Sequence, residues 1–116
     1  MASTPEKKVK DKVKALLKKH DVYMFNPVTS GFGTSGVPDI VACIKGKFLG
    51  IEVKAGSNKP TALQEKNLAD IARVGGFAVA VNENGLDHFD RLLDALVKGE
   101  VILAGAVFDL LIKKEK

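Results

Sequence analysis

The sequence holds a single cysteine, Cys43, and only two histidines, His20 and His88. No intramolecular disulfide can form, and no Cys/His cluster of the kind that binds zinc is present. Cys43 stands between Ala42 and Ile44 and is expected to be a small buried strand residue. The two histidines are far apart and lack the context of a catalytic pair, so both are expected on the surface. No stretch approaches the roughly 20 apolar residues of a membrane span, and no membrane partner is expected. The lysine-rich N-terminus lacks the apolar run of a signal peptide, which predicts a cytoplasmic protein. There is no internal repeat and no low-complexity linker. At 116 residues, 46% of them apolar, the chain reads as one domain over residues 1–116, long enough for a core.

Charge is distributed unevenly. The net charge is +4, and Lys7, Lys8, Lys10, Lys12, Lys14, Lys18 and Lys19 all fall within the first 19 residues. Such a cluster is either a footprint for a polyanion or the solvated face of a helix. It permits nucleic acid without requiring it.

Local signals divide the chain into alternating elements. Thr4 as N-cap and Pro5 at the first helical position open a helix to about His20, with Val9, Val13, Leu16 and Leu17 on its buried face. Extending that face backwards reaches Glu6, which either serves the helix dipole or points toward a sheet. Residues 22–25 read as a strand, followed by a glycine-rich loop over residues 30–36. The loop contains Gly31, Gly33 and Gly36 in G-x-G-x-x-G spacing. A dinucleotide site would need a helix to start inside it, but Val37-Pro38 follows, and the residue before a proline is pushed toward extended backbone. No nucleotide cofactor is therefore expected.

Residues 40–44 and 48–51 flank Lys45-Gly46-Lys47 and form a hairpin signature. With Lys45 and Gly46 as a two-residue turn, Asp39 stands opposite Glu52 on one face, and Lys54 shares that face by alternation. Thr61 caps a second helix to about Val74. Gln64 either closes a capping box with Thr61 or points toward the core side with Leu68 and Ile71. Residues 77–81 form a buried strand. Asp87 is expected to cap a third helix carrying Phe89, Leu92, Leu93, Leu96 and Val97, which stops at Gly99. The tail over residues 101–112 is apolar with weak periodicity, a strand and then a helix.

The chemistry centres on Asp39, Glu52 and Lys54. Two facing carboxylates cannot both stay ionised at short range without a counter-charge. Their hard oxygens suit Mg²⁺ or Mn²⁺, which retain waters and accept phosphate oxygens. A cation there would activate water and stabilise charge on phosphorus oxygens, with Lys54 orienting the attacking water or neutralising the phosphate. The bland alternative is a salt bridge borne by two strands.

The set Gly36-x-Pro38-Asp39, Ile51-Glu52-Val53-Lys54-Ala55 and Thr61-x-x-Gln64 resembles the PD-(D/E)xK nuclease superfamily, and within it the virus-type replication-repair nuclease (VRR-NUC) family. The resemblance runs from about Glu6 to Val81 and implies an α/β fold with an αβββαβ core, a mixed central sheet flanked by helices. It implies Asp39, Glu52 and the Val53 backbone carbonyl as ligands of Mg²⁺ or Mn²⁺. It also implies Lys54 as catalytic lysine, Gln64 as active-site glutamine, and Glu6 as the acidic residue of the first helix, which would hold a metal-shell water or assist a second ion. Stand-alone members, mostly of bacteria and phages, are associated with cutting branched DNA such as Holliday junctions. The expected protein is then a metal-dependent DNA endonuclease in a bacterial cell or phage-infected host. Two cuts per junction favour a homodimer, with residues 101–112 either at its interface or packed on the chain's own core. The alternatives are a non-catalytic nucleic-acid-binding module and a repair or restriction-type nuclease for ordinary duplex.

Overall fold

The computed structural model describes residues 4–28, 35–100 and 105–114. Helix α1 spans Pro5–Lys19, with the Thr4 side chain accepting from the Lys7 N–H at 3.1 Å and Pro5 in its first turn. Its buried residues, Val9, Val13 and Leu17, form the anticipated stripe. Strand β1 (Tyr23–Phe25) follows, then β2 (Ile40–Ile44) and β3 (Lys47–Val53). Most of the glycine-rich loop, residues 30–34, lies outside the described residues.

The β2–β3 hairpin turns at Lys45 and Gly46, which have φ of 50° and 78°. Positive φ at both central residues is the twist-matched solution for a two-residue hairpin. Glycine meets that demand at 46 without a Cβ penalty. The register that results pairs Ile40 with Ile51 and Ile44 with Lys47, in agreement with the sequence expectation.

Helix α2 (Ala62–Arg73), β4 (Phe77–Val81), a 3₁₀ turn (Glu83–Gly85), α3 (Leu86–Lys98) and β5 (Ala106–Leu110) complete the order. The sheet runs β1-β2-β3-β4-β5. Its first three strands are antiparallel neighbours, and β3, β4 and β5 are parallel. This is the expected mixed sheet with flanking helices and an αβββαβ core, extended by α3 and β5. On one face Leu17, Ile40, Leu49, Ile51, Val79, Phe89 and Leu93 pack into the main core under α1 and α3. On the other, Ala78 and Ala80 receive Leu68 and Ile71 of α2. Alanines at these two positions let the helix lie close to the sheet.

Four expectations are corrected. Cys43 is exposed, because α2 covers β3, β4 and β5 but leaves this face of β1 and β2 open, with Tyr23 and Phe25 also exposed. His20 is largely buried rather than on the surface: α1 ends against α3, and His20 Nε2 lies 2.6 Å from Asp90 Oδ1. His88 is exposed as expected. Helix α3 begins at Leu86 with Gly85 in the cap position, so Asp87 sits inside the first turn instead of capping it. The tail forms β5 but no helix follows through Lys114. Side chains of Asn82 and Asn84 capture the Ile112 backbone and hold it out of helical pairing. Residues 101–104 of the tail lie outside the described residues.

Gly85 marks the tightest approach between α3 and β5. A Cβ there would stand 2.0 Å from the Leu110 carbonyl oxygen, a backbone atom with no rotamer to yield. Gly85→Ala is expected to lower stability by about 1–3 kcal/mol, the usual cost of overpacking a fixed contact. Urea unfolding measures it; an unchanged midpoint would mean that β5 is free to shift.

Candidate active site

Asp39 precedes β2, and Glu52 lies next to the end of β3. Continuing the observed register by one residue from Ile40 and Ile51 places the two opposite each other. Asp39 is fixed through its carboxylate, whose Oδ2 accepts from the Val53 N–H at 2.8 Å. Its own carbonyl accepts from Asn26 Nδ2 at 3.3 Å, tying the approach from β1 to the same spot.

Glu52 is 2% exposed. One oxygen, Oε2, faces Lys54 Nζ at 3.5 Å. The other, Oε1, is buried without a hydrogen-bond partner. Burial, followed by the Asp39 charge, pushes the Glu52 carboxyl up to about 8, with Lys54 acting in the opposite direction. A carboxylate held so far from its usual range, with an unsatisfied oxygen, lacks sufficient positive charge in its surroundings.

Lys54 is itself mostly buried, its side chain 12% exposed. Its backbone N–H donates to the Val81 carbonyl and continues the pairing of β3 with β4. Asp39, Glu52 and Lys54 thus converge as the sequence implies, at the rim where β3 ends. Val53 joins them through its N–H.

Gln64 and Glu6 are placed differently. Gln64 completes the capping box: its Oε1 accepts from the Thr61 N–H at 2.9 Å while its own N–H donates to Thr61 Oγ1 at 3.2 Å. Both partners lie at the start of α2, so the side chain is engaged at the helix end. Glu6 is half-buried in the first turn of α1. Among the described residues no three His, Cys, Asp or Glu side chains are grouped to hold a metal ion, so Glu6 does not complete a three-carboxylate set with Asp39 and Glu52.

The helix that carries Glu6 nevertheless reaches the site through Lys10, whose Nζ lies 3.7 Å from Asp39 Oδ1. The sequence reading placed Lys10 only among the N-terminal lysines. Its spacing of four from Glu6, on one helical face, is the signal that could have singled it out.

The comparisons bear on the fold. A solved structure described as a VRR_NUC domain protein superposes over 98% of this chain and 100% of its own, with a TM-score of 0.65 and 20% identity. The fold is therefore that of a VRR_NUC domain, as the motif set implied. Archaeoglobus fulgidus Hjc, described as a Holliday junction resolvase, matches 64% of this chain and 65% of its own at 25% identity and a TM-score of 0.48. No protein-family profile matches the sequence. No curated protein matches it either.

Glu52 gives the metal-free protein a distinctive pH response. Its carboxyl is raised from 4.5 to about 8 on folding, so the folded state binds the proton more tightly. Its contribution to stability is fully present below the unfolded value and is lost as pH rises through about 8. In EDTA, stability measured by urea unfolding is expected to fall between about pH 5 and 8, and Glu52→Gln is expected to remove most of that slope. Parallel curves for the two proteins would sink the assignment.

Proposed function

We propose that this chain is a metal-dependent endodeoxyribonuclease that hydrolyses phosphodiester bonds, acting on branched DNA such as Holliday junctions. The observation that carries the reading is Glu52: a nearly buried carboxylate with an orphaned oxygen, opposite Asp39 and beside Lys54. These residues fit a divalent cation. The donors are hard carboxylate oxygens, the unpartnered Oε1 is available, and the raised proton affinity of Glu52 marks a place where positive charge is wanted. Asp39, Glu52 and the Val53 carbonyl would hold Mg²⁺ or Mn²⁺, with Glu6 reaching it through water. When bound, the ion would lower the pKa of water and offset charge developing on the phosphoryl oxygens.

The remaining chemistry belongs to the chain's own side chains. Lys54, held against Glu52, would orient the attacking water and stabilise negative charge on a non-bridging phosphate oxygen. Burial makes that charge more effective than it would be in bulk water. Lys10, beside Asp39 at the outer side of the site, offers a second cation to a phosphate entering from solvent. Gln64 serves the site by anchoring the start of α2 and would contact substrate only on leaving the cap.

The preference for branched DNA rests on the likeness of the motif set to stand-alone VRR-NUC members; the match over the whole length of a VRR_NUC domain structure supports the fold. Symmetric resolution needs two cuts, which a two-fold homodimer with one site per protomer supplies.

The test is incubation with Mg²⁺ or Mn²⁺ and a labelled panel of four-way junction, flap, duplex and single strand. Junction cleavage is expected, together with a loss of at least about 10²-fold in Asp39→Ala, Glu52→Ala and Lys54→Ala. DNA binding should stay near that of the parent. Undiminished cutting by any of the three removes the site assignment, and binding without cutting by the parent favours a non-catalytic module. Independently of activity, Mn²⁺ should raise the Tm of the parent and leave that of Glu52→Gln almost unmoved.

A further inference from the structure

The loops that follow β3, β4 and β5 enclose a cleft of about 810 Å³ at one end of the parallel half of the sheet. Its walls include Lys59, Lys113 and Lys114. Resting on the nuclease reading above, we propose that this cleft is a backbone-binding groove for the DNA strand beside the scissile phosphate, with these three lysines as its phosphate contacts.

Position is the first support. In open α/β sheets, ligands bind beyond the carboxyl ends of parallel strands. The cleft begins where the candidate active site ends. Lys54 donates its N–H to Val81, and the residue after Val81 is Asn82, on the cleft wall. From the end of β3 to the end of β5 is two strand spacings, about 10 Å. At about 3.4 Å of axis per phosphate on one strand, that span accommodates roughly three nucleotide steps.

Charge is the second. Among the described residues, Lys59, Lys113 and Lys114 are exposed and form no ion pair, a property shared with Lys8, Lys12, Lys18, Lys45 and Lys47; what sets the three apart is that they meet in one cleft. Two carboxylates of the cleft are occupied with backbone. Glu83 accepts the Gly56 N–H with both oxygens, at 2.9 and 3.1 Å, and Asp109 accepts the Leu111 N–H at 3.1 Å. Glu65, in the first turn of α2, is the third carboxylate on the wall; a backbone hydrogen bond leaves a carboxylate its charge, so the wall as a whole has no net charge and the lysines act as individual exposed contacts.

The third is construction. Asn82 is 2% exposed and every hydrogen-bonding group of its amide is used. Oδ1 accepts from the N–H groups of Asn84 and Ile112, and Nδ2 donates to the carbonyls of Ile112 and Gly56. One buried side chain therefore ties together all three loops of the cleft. Asn84 adds a second bond to Ile112. The segment past β5 would otherwise fray as a chain end does. Clamped at Ile112, it presents Lys113 and Lys114 from a fixed base.

The experiment compares two charge-matched double variants of the full chain. Lys113→Ala/Lys114→Ala removes two of the groove's three lysines, whereas Lys45→Ala/Lys47→Ala removes the same charge at the hairpin turn, at the opposite end of β3. Affinity for a fluorescein-labelled four-way junction is measured in EDTA over a salt series. The groove double is expected to bind about 10-fold more weakly at 0.1 M salt, with a salt slope shallower by about 2, one for each lysine. Its Tm should be unchanged because both side chains are exposed. The hairpin double should keep the parent's slope. Equal loss in both doubles, or no loss in the groove double, overturns the groove. If the parent binds and cuts DNA while the groove double does so equally well, only the groove fails; if the parent neither binds nor cuts, the nuclease reading itself fails.

Discussion

The register of the β2–β3 hairpin is the constraint on which the rest of the site depends. Side chains alternate across a sheet, so a slip of one residue would carry Glu52 and Lys54 to the α1/α3 face and bury them in apolar core. The turn at Lys45 and Gly46 sets the register from one end. The bond from the Val53 N–H to Asp39 secures it at the other. Between these two fixed points, Ile40, Ala42 and Ile44 face the main core together with Leu49, Ile51 and Val53. The hydrophobic pattern and the pattern of charged residues thus demand the same alignment.

Holding Glu52 in that position costs stability. The residue is almost fully removed from water, it faces a second carboxylate, and its one cation, Lys54, satisfies a single oxygen. A site arranged only for stability would carry a neutral or apolar side chain here, since buried ion pairs seldom repay their desolvation. The surrounding core offsets the cost: Ile51 and Val53 on either side of Glu52 are completely buried. Strain of this electrostatic kind is what gives the site its appetite for positive charge. The neighbouring cleft follows the opposite logic, with a buried amide whose polar groups are all satisfied and lysines that form no ion pair among the described residues.

Elements with strong local signals were legible. The α1 cap at Thr4, the β2–β3 register, the α2 cap at Thr61 and the stop at Gly99 all follow from short-range chemistry and appear as read. Expectations that depended on neighbours distant in sequence went astray. Cys43 was expected to be buried because its strand is apolar, but none of the described helices covers that face. His20 was expected on the surface because its partner Asp90 lies 70 residues away. For Gln64 two readings were open, cap or site, and the structure shows the capping bond formed. The helix after β5 did not form because Asn82 and Asn84, far upstream, take the backbone groups it needed.

The sequence by itself determined the order of elements as far as β5 and the alignment of Asp39, Glu52 and Lys54. Turn chemistry and two-residue alternation are local rules that need no knowledge of the remaining chain. Only the tertiary structure decided how far these charges are desolvated, which of the anticipated partners reach them, and that Lys10 is among the groups that do. It also decided that three loops, separated along the chain, meet around Asn82 to form a cleft beside the site. Burial and long-range contact are properties of packing, and packing is set by which surfaces meet once α1, α2 and α3 have closed on the sheet.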